Sequence, residues 1–290
     1  MTWEEIIIQI RKDPQYAELV EKAYFDADLE LNVQRFADSE EFRETLAILK
    51  EYSGLETPDL LDIGAGNGIS SVAFALKGYR VSAVEPDKSE TVGSGAIRWL
   101  KNKLHLDNLN VFDSFGENLP FEKEVFDVVY IRQAMHHAAD LDKFIAEAAR
   151  TLKKGGVLLT IRDHVVYDEK DKEWFLNEHP LHRFYGGENA FTEAEYKQAM
   201  QHAGLEIKQT LRYYDSPINY FPLSKTELEA DSAAYKEGLK TSLRRRLGPL
   251  ASSGLLLRWY KAFTESRNGM PFDEKHVAGR MYTFVATKAI

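Results

Sequence analysis

The 290-residue sequence contains no cysteine. This excludes disulfides, thiolate zinc sites, iron–sulfur ligation and cysteine nucleophiles, and it fits a reducing compartment, so we expect a cytoplasmic protein. No apolar stretch approaches the roughly 20 residues of a membrane-spanning helix, and the acidic N-terminus lacks the basic start of a secretory signal. Excess positive charge is missing too, since the formal net charge is −9. That balance argues against a nucleic-acid partner, because phosphate contacts depend on clustered lysine and arginine.

The composition that remains, 44% hydrophobic and 29% charged, is that of a folded globular protein. From Leu60 onward, short apolar runs alternate with amphipathic helical patterns. Such alternation is typical of a parallel sheet covered by helices on both faces, so the sequence predicts a doubly wound α/β fold. The runs that predict strands are LLDI (60–63), YRVSAVE (79–85), LNVF (109–112), FDVVYI (126–131), GVLLTI (156–161), LEIKQTLRYY (205–214) and MYTFVATKA (281–289).

Two further segments flank or interrupt this alternation. Residues 1–53 have helical periodicity and predict an N-terminal helical cap, whereas 54–214 and 281–290 form the predicted core. Residues 215–280 separate two strands that could pair directly, so they are predicted to be a mostly helical insertion that carries function or acts as a lid. Within it, residues 240–263 are both basic and apolar. The alternatives are a lid helix packed on the body, a grip on an acidic substrate, and contact with an anionic membrane surface.

The stretch LLDIGAGNGISS, residues 60–71, is the most informative motif. A glycine-rich turn from a first strand into a first helix lets a ligand approach backbone N–H groups, although a tight turn without a ligand is the alternative. The spacing Gly64, Gly66, Gly68 places Ile69 where a dinucleotide loop has its third glycine, and no Gly-Lys-Ser or Gly-Lys-Thr follows. Glu85 ends the second strand, where an acid can accept both hydroxyls of a ribose. Together these features indicate a nucleoside ligand.

Three segments, LLDIGAGNG, VEPD and residues 117–159 (ENLPFEKEVFDVVYIRQAMHHAADLDKFIAEAARTLKKGGVLL), resemble the class I S-adenosylmethionine-dependent methyltransferases. The last segment is similar to the small-molecule branch that includes ubiquinone and menaquinone C-methyltransferases. The resemblance implies a Rossmann-like, seven-stranded sheet whose last strand is antiparallel. It also implies methyl transfer by in-line displacement from S-adenosyl-L-methionine to a small-molecule or lipid-like acceptor, with S-adenosyl-L-homocysteine as product. The alternative function is a catalytically silent cofactor-binding module that acts as a sensor or partner subunit.

The resemblance also implies which residues hold the cofactor. Asp62 and the glycines surround its methionine end, and Glu85 binds the ribose. Phe115 and Gly116 stand where the branch commonly has Asp-Ala, so we expect backbone around Gly116 to hold the adenine, with apolar contact from Phe115 or Pro86. The predicted cofactor-binding residues are Asp62, Gly64, Ala65, Gly66, Asn67, Gly68, Glu85, Pro86, Phe115, Gly116, Glu117, Ile131 and Arg132.

Catalytic candidates follow the fourth and fifth predicted strands, because a ligand of a doubly wound sheet lies at the carboxyl ends of its strands. His164 is the predicted general base, the alternative being a polar loop residue. Arg132 is predicted to pair with a cofactor carboxylate or an acidic substrate, unless it is solvent-exposed. His136 either takes part in catalysis or packs the sheet edge. Tyr185 belongs to a polar loop, 177–192, that is predicted to line the acceptor pocket.

We predict no metal site from the sequence. His179 and His182 have a tolerable spacing, but no carboxylate or third ligand stands at a diagnostic interval from them. The expected partner is a small-molecule substrate that is lipid-like or acidic, and the sequence defines no oligomeric state.

Overall fold

An eight-stranded sheet organises the chain in the computed structural model. The structure describes residues 2–179, 181–185, 187–221, 223–247, 257–261, 264 and 273–290, without the side chains of Arg183, Tyr185, Arg246 and Leu247. The strands are β1 (Asp59–Ile63), β2 (Arg80–Val84), β3 (Leu109–Phe112), β4 (Phe126–Arg132), β5 (Leu152–Val166), β6 (Phe191–Thr192), β7 (Leu205–Leu211) and β8 (Met281–Lys288).

The main path of the sheet has the order β3-β2-β1-β4-β5-β8-β7. The strands β1 to β5 run parallel, and β8 is antiparallel to both of its neighbours, β5 and β7. The predicted α/β sheet of seven strands with an antiparallel last strand is therefore confirmed. The two-residue strand β6, which pairs with β5 off this path, is an addition that the apolar pattern did not indicate.

The helices are α1 (Trp3–Ile10), α2 (Ala17–Lys22), α3 (Leu29–Ala37), α4 (Glu40–Ser53), α5 (Ile69–Leu76), α6 (Ser94–Lys103), α7 (Leu141–Thr151), α8 (Glu169–Glu178), α9 (His182–Tyr185), α10 (Glu193–His202), α11 (Pro217–Tyr220) and α12 (Lys225–Leu247). Local signals explain several of their ends. Ser39 caps α4 by accepting the N–H of Phe42, and the helix stops at Gly54 in the left-handed region. Central strand residues such as Leu61, Val129 and Leu158 are fully buried, as expected for a sheet covered on both faces.

Strand β5 is longer than the sequence predicts. The apolar run ends at Ile161, but pairing with β8 continues through Asp163 and His164, after a register shift at which Arg162 has a φ of +59°. This bulge lets the strand continue through polar residues, which an apolar pattern does not show. Arg162, Asp163 and His164 therefore lie inside β5, and the expectation that His164 follows the fifth strand is wrong.

The chain divides into two units, Met1–Asn219 with Ala278–Ile290, and Tyr220–Val277. The first unit contains the sheet and the N-terminal helices α1 to α4, and the second contains α12. Within the predicted stretch 240–263, residues 248–256, 262 and 263 lie outside the described residues, so its role stays a prediction. In the part of the chain that the structure describes, no helix is long and apolar enough to cross a membrane.

Candidate active site

The loop from β1 to α5 brings bare backbone to the carboxyl end of the sheet. Gly64 and Gly68 have φ angles of +72° and +84°, which side chains disfavour. A Cβ at Gly64 would lie 2.4 Å from the Cβ of Ala134, and one at Gly68 would lie 2.8 Å from Cγ1 of Ile97. The N–H groups of Gly64 and Ala65 donate to the carbonyl of Val84 at 2.9 and 3.1 Å, which fastens the loop to β2.

Asp62 lies under this loop and is fully buried. Its Oδ2 accepts hydrogen bonds from the hydroxyls of Ser70 and Ser71 at 2.7 and 2.5 Å. Its Oδ1 is buried and has no hydrogen-bond partner among the described residues. Burial raises the pKa of Asp62 to about 6, although the two serine hydroxyls oppose the shift. A buried acceptor with one unused oxygen is suited to a donor from a ligand or from an ordered water.

Glu85 follows β2 and faces the same loop. Its Oε2 accepts the N–H of Gly66 at 2.8 Å, and its Oε1 accepts the N–H of Asp87 at 2.9 Å. Burial raises the pKa of Glu85 to about 7 despite these two hydrogen bonds. Each carboxylate oxygen can accept a second hydrogen bond, so the side chain remains able to bind a pair of hydroxyls.

The residues predicted around the adenine differ in exposure. Phe115 is 67% exposed, whereas Gly116 lies against the ring of Phe144. Glu117 uses its Oε1 to accept the N–H of Ala139 at 2.9 Å. Pro86, directly after Glu85, is partly buried. The exposed Phe115 ring is therefore available for apolar contact, while the Glu117 carboxylate already has a protein partner.

The remaining cofactor candidates Ala65, Asn67 and Ile131 are buried. Asn67 donates its side-chain N–H to the carbonyl of Tyr24 at 2.8 Å. This contact ties the glycine loop to the segment between α2 and α3. The N-terminal helices thus help to shape the loop, a connection that the sequence did not indicate.

Arg132, at the end of β4, has a partner that the sequence did not indicate. Its Nε and Nη2 donate to the two carboxylate oxygens of Glu41 at 2.6 and 3.1 Å, and Glu41 is completely buried on α4. The Nε of Arg162 also lies 3.9 Å from Oε2 of Glu41. Arg132 was expected to pair with a cofactor carboxylate or an acidic substrate, but its partner in the structure is Glu41 of the chain itself. The two residues are 91 positions apart, so no local pattern could have linked them.

His136 lies in the 3₁₀ turn after β4 and is 1% exposed. Its Nδ1 is 3.0 Å from Oδ1 of Asp163, which also accepts the backbone N–H of His136 at 3.1 Å. Its Nε2 lies 3.6 Å from Oε2 of Glu188. Burial opposes a charge on this ring, but the hydrogen bonds to Asp163 and Glu188 outweigh it and raise its pKa to about 9.

His164, on β5, packs beside His136 with 4.8 Å between ring centroids and lies 4.5 Å from the ring centroid of Phe175. Its Nδ1 is 2.7 Å from the carbonyl oxygen of Gly279. Burial holds the pKa of His164 well below its ordinary value, so the ring is neutral at physiological pH.

The predicted acceptor loop contributes to the same cluster. Glu188 faces His136, and its Oε1 lies 3.8 Å from Nδ1 of His179. Burial opposes the charge of Glu188, but the histidines around it lower its pKa to about 2. Tyr185 ends α9, and its side chain lies outside the described part of the structure. The structure thus brings together two sets of residues, one around the glycine loop and one around the histidines.

The sheet order, with the glycine loop and Glu85 at the carboxyl ends of β1 and β2, defines a Rossmann-like α/β domain of the nucleoside-binding type.

Residues 61–160 match a family described as a methyltransferase domain. YcgJ, an uncharacterized methyltransferase of Bacillus subtilis, is 30% identical over 165 residues, 56% of this chain and 62% of that protein. The ubiquinone/menaquinone biosynthesis C-methyltransferase UbiE of Rhizobium etli is 33% identical over 129 residues, 42% of this chain and 49% of that protein. The chain thus spans less than two thirds of either relative.

A solved structure of similar fold is the geranyl diphosphate C-methyltransferase of Streptomyces coelicolor, in complex with Mg²⁺, geranyl diphosphate and S-adenosyl-L-homocysteine. It aligns with a TM-score of 0.56 and 19% identity over 86% of this chain and 79% of that one, a likeness that shows the fold alone. The sequence of residues 61–160 and the fold of the chain are thus similar to those of methyltransferases.

Proposed function

We propose that the chain transfers a methyl group from S-adenosylmethionine to a small-molecule acceptor. The observation that carries this proposal is the pair of buried acids at the glycine loop. Asp62 has an unused buried oxygen, and Glu85 is held by the N–H groups of Gly66 and Asp87. One acid suits the ammonium of an amino-acid moiety, and the other suits the hydroxyls of a ribose.

S-adenosylmethionine, when bound, supplies a methyl group on a sulfonium as the electrophile. The chain's own task is to orient the acceptor, exclude water and remove a proton where the acceptor loses one. Gly64 and Gly68 give access to the backbone, and Phe115 offers an apolar face to the adenine. His164 is the proposed base. The carbonyl of Gly279 beside its Nδ1 can only accept a hydrogen bond, so Nδ1 carries the hydrogen and Nε2 has a free electron pair.

An acidic or lipid-like acceptor fits the charges at the ends of β4 and β5. Arg132 and Arg162 place the positive charge of two guanidinium groups beside the carboxylate of Glu41. That charge favours an acceptor with an acidic group. Roles for His136 and Tyr185 near the acceptor, a lid formed by residues 215–280 and a cytoplasmic location remain parts of this proposal.

Methyl transfer is tested by incubating the full chain with S-adenosylmethionine and panels of phenol, quinone, amine and carboxylate acceptors. Formation of S-adenosylhomocysteine is followed by mass spectrometry. We expect acceptor-dependent product with the wild-type chain and a strongly reduced yield with Glu85→Gln. Cofactor binding without product from any panel would instead support the silent sensor or partner subunit. Absence of cofactor binding would exclude both functions.

A further inference from the structure

Two histidines and one glutamate from separate elements converge at the carboxyl end of the sheet. His136 follows β4, His164 belongs to β5, and Glu188 lies in the segment before β6. One ligating atom from each residue can be chosen so that all three lie within 4.8 Å of one another. Both histidines are buried, and the glutamate side chain is only 13% exposed. The three side chains are therefore shielded from solvent and share one small region.

The imidazole rings of His136 and His164 are each oriented by a hydrogen bond at Nδ1. Asp163 accepts from His136 at 3.0 Å, and the carbonyl of Gly279 accepts from His164 at 2.7 Å. These partners can only accept in their ionised and carbonyl forms, so Nδ1 is the donor in each ring. Nε2 of His164 carries a free electron pair, and Nε2 of His136 offers one when a metal ion displaces its proton. A carboxylate or a backbone carbonyl behind a histidine is the arrangement that fixes metal-binding imidazoles.

The approach of Gly279 to His164 leaves no room for a side chain. A Cβ at residue 279 would lie 2.2 Å from Cδ2 of Phe175 and 3.2 Å from Nδ1 of His164, and the φ of Gly279 is +59°. Glycine at this position is what lets the carbonyl reach the ring. The orientation of His164 is thus built into the backbone that leads to β8.

A third histidine adjoins the group. His179 packs edge-on against His164, with 5.5 Å between ring centroids, and its Nδ1 lies 3.8 Å from Oε1 of Glu188. That nitrogen is buried and has no hydrogen-bond partner within the described residues. The carboxylate of Glu188 therefore has a histidine nitrogen near each of its two oxygens, whereas a single ion pair needs only one.

We propose that His136, His164 and Glu188 bind a divalent transition-metal ion of the zinc class, with Asp163 and Gly279 as their orienting partners. Metal–nitrogen and metal–oxygen bonds of about 2.1 Å place tetrahedral ligand atoms about 3.4 Å apart, so the present separations require side-chain movements of roughly 1 Å. Imidazole with carboxylate is a donor set that zinc and similar ions accept. Three protein ligands leave a coordination position for water or for an acceptor atom.

One electron pair on Nε2 of His164 serves both roles, so His164 acts as the proposed general base only in the metal-free chain. Metal binding does not depend on the proposed methyl transfer, and it is measured without cofactor or acceptor. Failure of one proposal therefore leaves the other standing.

The test is isothermal titration of Zn²⁺ into the chelator-treated full chain. We expect one ion per chain, loss of this site in His164→Ala and Glu188→Gln, and an affinity about 10- to 100-fold lower in Asp163→Asn. The control is His202→Ala, which removes an exposed histidine that pairs with Asp142 and should leave the affinity unchanged. As a second readout, Co²⁺ should give visible d–d absorption that Glu188→Gln abolishes.

If a histidine variant fails to fold, Glu188→Gln still tests the metal site, because it preserves the shape of the side chain and removes its charge. A wild-type chain that binds no stoichiometric Zn²⁺ would overturn the proposal. Binding that is equally strong in wild type and Glu188→Gln would also overturn it, since the ion would then occupy other histidines.

Discussion

The two halves of the sheet's carboxyl edge are built in different ways. At the ends of β1 and β2, the site consists of backbone N–H groups and two acids, and residues 62–68 supply most of it. At the ends of β4 and β5, the site consists of charged side chains that come from α4, two strands and a distant loop. The first half depends on the absence of side chains, and the second depends on the pairing of buried charges. Substitutions in the first half should therefore act through steric clash and backbone strain, and those in the second half through the loss of a charged partner.

The largest effect is expected from Glu41→Gln, which removes the carboxylate shared by Arg132 and Arg162. Arg132 would lose the carboxylate that it binds with two hydrogen bonds, and Arg162 would lose a nearby carboxylate, so the free energy of unfolding should fall by about 3–5 kcal/mol. Urea denaturation measures this change. Glu44→Gln, an exposed position on the same helix, should change it by less than about 0.5 kcal/mol. Equal stability of the two variants would show that the buried pair contributes little.

Gly64→Ala tests the opposite half of the edge. The new methyl group would meet Ala134 in an unfavourable backbone conformation, so we expect a loss of about 2–5 kcal/mol together with loss of cofactor binding. The matched control is Gly204→Ala. Gly204 has a similar φ of +76° but no atom within 4 Å of the added Cβ, so only about 1–2 kcal/mol of backbone strain is expected. Undiminished cofactor binding by Gly64→Ala would argue against the loop as the cofactor site.

Glu85→Gln should weaken S-adenosylmethionine binding by about 10- to 100-fold, because hydrogen bonds to a charged acceptor are worth about 1.5–3 kcal/mol. The fold should persist, since the amide oxygen can still accept one of the backbone N–H groups. Calorimetric titration gives the affinity, and thermal unfolding without ligand checks the fold. An unchanged affinity would remove Glu85 from the ribose site.

A smaller effect concerns pH. The pKa of Glu85 is raised to about 7, so its ionised fraction grows as the pH rises from 6 to 8. Ionisation of Glu85 should therefore raise cofactor affinity by about tenfold over this interval in the wild-type chain, whereas Glu85→Gln should keep only the roughly twofold rise that comes from Asp62, whose pKa is about 6. Stability without ligand should change in the opposite direction, because a raised carboxyl pKa means that the folded state binds more protons and loses stability as the pH rises from about 4 to about 7. Affinity that falls with pH in the wild-type chain would contradict this assignment.

The same contrast explains what the sequence could predict. The sheet and the glycine loop were predictable because their signals are local: short apolar runs, three alternating glycines, and an acid at the end of the next strand. The pairing of Arg132 with Glu41 was not, because it joins a strand end to a helix 91 residues earlier. The histidine cluster was missed because His136, His164 and Glu188 stand at intervals that no metal motif uses, and only the bulged β5 brings them together.

The most direct test of the donor site is calorimetric titration of S-adenosylmethionine into the full chain, beside Glu85→Gln. We expect one site per chain with micromolar affinity in the wild-type chain and a clearly weaker site in the variant. No binding by the wild-type chain at millimolar cofactor would contradict the assignment of Asp62, the glycine loop and Glu85 to the methyl donor.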